Sequence, residues 1–233
     1  MNLQEIKTIY EKDFKDKSLE VSPLDPQAIF LHHFLPKDRE SKILDAGCGN
    51  GKYANMLSSL GYKNIYAIDL LEEESFKELP FNYQKRDIKE SGFESEFFDF
   101  IYSFSVIFYL QHIEDGIKEF HKILKRDGVL ILTAHTKYSL HTLERILKKP
   151  EHLKGIKFYS ADSYARLLKQ NGFEVVHIDG FNTSYFIYPM YRKISNRYNL
   201  KFPKIASKVT QNRTLAKIRS EISYHSVIVV RKI

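Results

Sequence analysis

An acidic residue and three glycines lie close together in residues 45–51, Asp-Ala-Gly-Cys-Gly-Asn-Gly. The glycine spacing differs from the G-x-G-x-x-G pattern of dinucleotide-binding loops, because Lys52 occupies the place of the third glycine. Asp45 stands two residues before the first glycine, where its carboxylate would repel a pyrophosphate and attract an ammonium or a sulfonium. The loop is therefore predicted to bind a cationic ligand.

The residues around this loop predict that it joins a strand to a helix. An apolar pair, Ile43 and Leu44, precedes the loop, and residues 52–60 follow it with helical periodicity. Asn50 is predicted as the N-cap of that helix, and Gly61 as the left-handed residue beyond its end. The loop would then present backbone N–H groups at a helix N-terminus.

The segment 45–51 resembles the first motif of the class I S-adenosylmethionine-dependent methyltransferases. The resemblance covers about residues 40–180 and 223–233. It implies an α/β fold with a doubly wound, seven-stranded, mostly parallel sheet of order 3-2-1-4-5-7-6, whose last strand is antiparallel. The corresponding strands are predicted at residues 42–46, 64–69, 82–86, 97–103, 129–134, 173–179 and 224–232. The cofactor that the resemblance implies is S-adenosyl-L-methionine.

The same resemblance extends the candidate cofactor site to the ends of further strands. Asp69 ends predicted strand 2, 22 residues after Gly47, and is placed to accept both hydroxyls of a ribose, with Leu70 beside the adenine. Asp87 would accept from the adenine amino group, and Ile88 would pack on the ring. The candidate cofactor-binding residues are Asp45, Ala46, Gly47, Gly49, Asn50, Asp69, Leu70, Asp87, Ile88 and Ser103.

Methyl transfer from a sulfonium is an in-line displacement that needs mainly positioning and desolvation. A hydroxyl or ammonium acceptor must also lose a proton to a base. Candidate bases at the carboxyl edge of the sheet are Tyr109 and His112 after strand 4 and His135 after strand 5, with His141 further out. These residues also have a purely structural interpretation. Tyr109 would line the pocket, and His112 would cap the next helix.

The net charge of +7 is concentrated near the end of the 233-residue chain. Residues 181–233 contain eleven Lys or Arg and one Glu, whereas residues 1–180 sum to −3. Residues 1–40 are predicted as an N-terminal helical cover that includes a charged helix at residues 2–17. Residues 41–233 are predicted as the methyltransferase domain, with residues 180–222 as a basic insertion at the active-site rim. Such a rim favours an anionic acceptor, although a solvated helical face would carry the same charges.

Three functions stay open at this point. They are methyl transfer to an oxygen or nitrogen of a small phosphorylated, sugar or lipid-linked acceptor, methylation of RNA, and a non-catalytic interaction module. Residues 103–106, Ser-Phe-Ser-Val, lack the Asn/Asp-Pro-Pro-Tyr motif of enzymes that methylate RNA base amines. One cysteine excludes an internal disulfide framework, and no Cys and His pair has metal-ligand spacing. With no signal peptide or long apolar run, the protein is expected in the cytoplasm, with peripheral membrane contact allowed.

Overall fold

The computed structural model describes residues 19–70, 79–139, 142–143, 146–147, 157–181, 209 and 211–233. One sheet contains the strands β1 (Lys42–Ala46), β2 (Asn64–Asp69), β3 (Asn82–Lys85), β4 (Phe98–Phe104), β5 (Leu124–His135), β6 (Phe173–Phe181) and β7 (His225–Lys232). The helices that flank it are α1 (Pro26–Phe34), α2 (Lys52–Ser59), α3 (Ile113–Ile123), α4 (Ala161–Gln170) and α5 (Arg213–Ile222). A short 3-10 helix, Ile107–Tyr109, follows β4.

The strand order is β3-β2-β1-β4-β5-β7-β6, which confirms the predicted topology. Strands β1 to β5 pair in parallel, and β7 runs antiparallel to both β5 and β6. Because the carboxyl ends of the parallel strands meet at one edge, residues that follow β1, β2, β4 and β5 come together there.

Apolar side chains cover both faces of the sheet, as expected for parallel strands that are buried on both sides. On one face, α3 and α4 pack against a core that includes Leu44 and Leu130. On the other face, α1 and α2 pack against a core that includes Ile43 and Tyr102. Helices therefore flank the strand ends on both sides, and α1 and α2 share the face next to the glycine loop.

The starts of α1 and α2 follow different capping rules. Asp25, directly before Pro26, caps α1 by accepting from the backbone N–H groups of Gln27 (2.9 Å) and Ala28 (3.1 Å). The predicted N-cap of α2 is wrong: Gly51, not Asn50, is the N-cap, with a left-handed φ of 77°. The chain must reverse sharply out of the glycine loop before the helix can begin, and glycine permits that turn.

The helix after β4 is shorter than its sequence pattern predicts. Residues 113–128 are predicted as one helix that stops at Gly128, but α3 ends at Ile123 and β5 begins at Leu124. Leu124 pairs with Phe98 of β4, and the N–H of Phe97 donates to the Ile123 carbonyl (2.9 Å). β5 therefore spans residues 124–135 rather than 129–134. Residues 125–128 form an irregular stretch within it, where the register to β4 shifts and Asp127 has a left-handed φ of 62°.

The described end of the basic insertion is anchored to the sheet. Helix α5 packs against β6, where a Cβ at Gly180 would overlap the Arg219 carbonyl oxygen and lie 2.6 Å from Ser223 Oγ. The Arg219 guanidinium donates to both carboxylate oxygens of buried Asp179, at 2.7 and 2.6 Å. Residues 182–208 of the insertion and the predicted helix at residues 2–17 lie outside the described residues. No helix in the ranges described above is long and apolar enough to cross a membrane.

Candidate functional site

The glycine loop is tied to the end of β2. The N–H of Gly47 donates to the Ile68 carbonyl (2.8 Å), and the N–H of Gly49 donates to Asp69 Oδ2 (2.9 Å). The bonds bring the acid at the end of β2 against the loop that follows β1. The structure thus joins two candidate cofactor residues, Gly49 and Asp69, which the sequence places twenty positions apart.

The segment after β4 crosses directly over the same loop. Gly47 has a φ of 81°, and a Cβ there would overlap Val106 Cγ2 and lie 2.8 Å from Val106 Cγ1. Ser103, a predicted cofactor residue, is fully buried, and its hydroxyl donates to the Ala46 carbonyl (2.8 Å). This bond holds the end of β4 against the end of β1; a role of Ser103 in cofactor binding stays a prediction.

Asp45 is a buried acid with an unsatisfied oxygen. Its residue surface is 2% exposed, and Oδ2 has no hydrogen-bond partner among the residues that the structure describes. Burial raises the pKa of Asp45 to about 8, with the Asp69 carboxylate adding to the rise and the Tyr102 hydroxyl opposing it. A buried carboxylate without a counter-charge is costly. The position therefore fits a ligand that brings a positive charge.

The predicted adenine-binding pair is in a less enclosed place. Asp87 Oδ1 accepts from the Lys89 N–H (2.9 Å), and the Lys89 ammonium lies 3.3 Å from Oδ2. Ile88 is buried in the core cluster that includes Leu44, and half-buried Leu70 follows β2. Their roles toward adenine remain predictions.

Two of the three candidate bases share an aromatic neighbour. The Tyr109 and His135 rings lie 4.4 and 4.3 Å from the ring of Phe108, measured between centroids. The ring of buried His135 also lies 4.2 Å from that of Tyr224. His112 is exposed and occupies the N-cap position of α3, but its side chain makes no cap hydrogen bond. His141 lies outside the described residues.

Sequence reasoning misses a polar network that α1 brings to this site. The Gln27 side chain reaches Tyr53 of α2, Thr133 of β5 and Ser105 after β4. Nothing in the local sequence marks Gln27 as more than an early helical residue, because its partners are distant in the chain. The Asp25-Pro26 pair predicts where a helix begins, but not which residues that helix contacts.

Comparison with known sequences identifies a protein family and one related protein. A family model described as a methyltransferase domain matches residues 26–178. Malonyl-[acyl-carrier protein] O-methyltransferase of Enterobacter lignolyticus (strain SCF1) is 29% identical over 115 residues. The matched segment is 48% of this chain and 45% of that relative, so it spans less than half of either protein.

Solved structures have a similar fold at low sequence identity. A SAM-dependent methyltransferase of Thermotoga maritima has a TM-score of 0.63 and 18% identity, covering 99% of this chain and 96% of that chain. Geranyl diphosphate C-methyltransferase of Streptomyces coelicolor A3(2), in complex with Mg²⁺, geranyl diphosphate and S-adenosyl-L-homocysteine, has a TM-score of 0.63. It is 14% identical, covering 89% of this chain and 78% of that chain. These similarities concern the fold.

Proposed function

Because the chain belongs to the methyltransferase-domain family, we propose that it transfers a methyl group to an oxygen or nitrogen of a small, anionic acceptor. The family identifies it as an S-adenosyl-L-methionine-dependent methyltransferase. The nature of the acceptor is our proposal. The bound cofactor supplies a methyl group already activated by the sulfonium charge, so the chain's own residues have to bind, orient and exclude water.

The observation that best supports the cofactor position is the unsatisfied oxygen of buried Asp45. This carboxylate would hold the ammonium group of the cofactor's methionine portion, and the loop around Gly47 would accommodate the adjoining chain. Asp69 would bind the ribose, while Asp87 and Ile88 would bind the adenine. The ammonium, the ribose and the adenine of the cofactor would then each have a partner residue along one edge of the sheet.

The acceptor side is suggested by where the basic insertion leaves and rejoins the sheet. His225, the first residue of β7, pairs with both Phe181 at the end of β6 and His135 at the end of β5. The intervening chain therefore finishes beside the candidate base His135 and starts one strand further along the sheet. Residues 181–233 carry eleven basic side chains and one acid, which favours an anion. The Streptomyces relative holds an anionic molecule, geranyl diphosphate, on a similar fold.

An oxygen or nitrogen acceptor also has to lose a proton. We propose His135 or Tyr109 as the base, since both contact Phe108 at the end of the sheet where an acceptor would approach. His112 is exposed at the start of α3 and would act only from the rim. Replacing each residue separately, by His135→Gln, Tyr109→Phe and His112→Gln, would identify which one controls the pH dependence of kcat.

Methyl transfer to a fractionated extract tests the acceptor class. Small molecules from a cell extract would be separated by anion exchange and incubated with the enzyme and cofactor labelled on the methyl group. We expect label in the retained, anionic fraction, with no labelling of purified RNA. Label confined to the unretained fraction, or to RNA, would contradict the proposed acceptor.

Charge reversal in the insertion should weaken the acceptor's binding. Arg192, Lys193 and Arg197, which lie outside the described residues, would be changed to Glu together. We expect the acceptor KM to rise about tenfold at low salt and the difference to shrink as salt rises, because screened charges steer and bind less. Cofactor affinity should stay unchanged.

The matched control makes the same charge change on exposed residues outside the insertion, Lys118, Arg126 and Lys169. This control variant should keep the wild-type acceptor KM. If the acceptor KM changes neither with salt nor with the reversals in the insertion, the basic residues of the insertion form only a solvated surface and do not bind the acceptor.

A further inference from the structure

The Gln27 side chain forms hydrogen bonds to three elements that border the candidate site. Its amide oxygen accepts from the Tyr53 hydroxyl (2.7 Å), at the start of the helix that follows the glycine loop. Its amide nitrogen donates to Thr133 Oγ1 (2.9 Å) and to Ser105 Oγ (3.2 Å). One side chain thus bonds to α2, to β5 and to the segment after β4.

Asp25 holds the Tyr53 end of this network in place. Both carboxylate oxygens of Asp25 lie 3.1 Å from the Tyr53 hydroxyl, and the Lys52 ammonium lies 3.4 Å from Oδ2. Burial, with the Asp25 charge, raises the pKa of Tyr53 far above its ordinary value, so the phenol keeps its single proton, which Gln27 Oε1 and the Asp25 carboxylate share as acceptors. The starts of α1 and α2 are therefore fixed to each other.

The Ser105 end leads to the glycine loop. Ser105 has a left-handed φ of 59°, and its N–H lies 3.0 Å from both the carbonyl oxygen and Oγ1 of Thr133. A non-glycine residue in this conformation is strained and needs its neighbours to hold it. The next residue, Val106, is the one that lies against Gly47. Hydrogen bonds thus connect Gln27 to the Ser105 turn, and the Val106 side chain connects that turn to the loop by packing.

We propose that Gln27 is a positioning residue that fixes the Ser105-Val106 turn over Gly47 and so shapes the space for the methionine portion of the cofactor. The inference rests on the proposed placement of that portion at the glycine loop. Packing alone does not require Gln27, because Phe30 and Leu31 are fully buried and hold α1 on the sheet. Removing the amide should therefore leave α1 in place and loosen the turn.

Two ligands separate this role from general destabilisation. S-adenosyl-L-homocysteine carries the amino-acid chain, whereas 5′-methylthioadenosine has the same nucleoside and sulfur without it. In calorimetry, Gln27→Ala should lower the affinity for S-adenosyl-L-homocysteine roughly tenfold, as expected when buried partners lose a hydrogen bond. The affinity for 5′-methylthioadenosine should stay unchanged. Ala28→Gly is the control: it destabilises the same helix but spares the network, so the ratio of the two affinities should stay at the wild-type value.

A double-mutant cycle tests whether the effect passes through β5. Thr133→Val removes a hydroxyl that accepts from both the Gln27 amide and the Ser105 N–H. In this background Gln27→Ala should cause a smaller loss of S-adenosyl-L-homocysteine affinity than in the wild-type protein, because only the bond to Ser105 Oγ is left to lose. Full additivity, or equal weakening of both ligands by Gln27→Ala, would overturn the positioning role while leaving the cofactor site intact. If the wild-type chain binds neither ligand, the proposed cofactor site itself is wrong.

Discussion

Gly47→Ala is expected to weaken cofactor binding about a hundredfold, which corresponds to roughly 3 kcal/mol. The added methyl would overlap Val106 Cγ2, and the β-branched valine has no flexible end that could move aside. Either the glycine loop or the turn after β4 must shift, and both border the proposed position of the methionine chain. Calorimetry with S-adenosyl-L-homocysteine measures the loss directly.

Gly61→Ala provides the matched control for backbone strain. Gly61 has a similar φ of 88°, but a Cβ there would meet no atom within 4 Å. Both variants should lose about 1–2 kcal/mol of stability from the left-handed conformation, and the melting temperature should fall by several degrees. Only the variant at Gly47 should lose affinity. Normal binding by Gly47→Ala would show that the cofactor lies elsewhere.

Cofactor affinity is expected to rise with pH as Asp45 ionises. Burial holds the pKa of Asp45 near 8, so below that pH the site must release a proton before its carboxylate can pair with an ammonium. Affinity for S-adenosyl-L-homocysteine should increase by up to about tenfold per pH unit between pH 6 and 8. Asp45→Asn should bind at least about tenfold more weakly at pH 8, and its affinity should not follow pH in this way.

The same acid should make the ligand-free protein less stable as pH rises. The folded-state pKa of about 8 exceeds the ordinary value of 3.8, so Asp45 contributes its stability below about pH 4 and loses it progressively up to pH 8. The slope is at most about 1.4 kcal/mol per pH unit. Denaturant unfolding of Asp45→Asn should lack this decline. Parallel stability curves for the two proteins would show that Asp45 is not buried and neutral.

The sequence predicts best the elements whose signals are local. Strand β1 and the left-handed Gly61 follow from apolar runs and glycine positions within a few residues of each other. The loop's acid is also identified by its place before the first glycine. Its burial and raised pKa could not be predicted, because they depend on Tyr102 and Asp69 from other strands.

Elements decided by distant contacts are the ones that the pattern misses. Residues 124–128 are predicted as the end of a helix, yet Leu124 pairs with Phe98 and begins β5, and the register to β4 shifts before Val129. The bonds of Gln27 to Ser105 and Thr133 likewise span 78 and 106 positions of the chain. The sheet order, which local residue patterns do not give, is what makes such partners neighbours. Residue patterns therefore identify the glycine loop but not the network behind it.

The position of β7 between β5 and β6 has a consequence for the order of folding. β7 follows both of its neighbours in the chain, so neither pairing can form until residues 225–232 have left the ribosome. The glycine loop, β2 and β4 are synthesised much earlier, within the first 104 residues. We expect β1, β2 and β4 to become ordered first and the pairings of β7 with β5 and β6 last, since long-range pairings form slowly. A nascent chain stalled before His225 would present β5 as an open strand edge, a site for association with other chains.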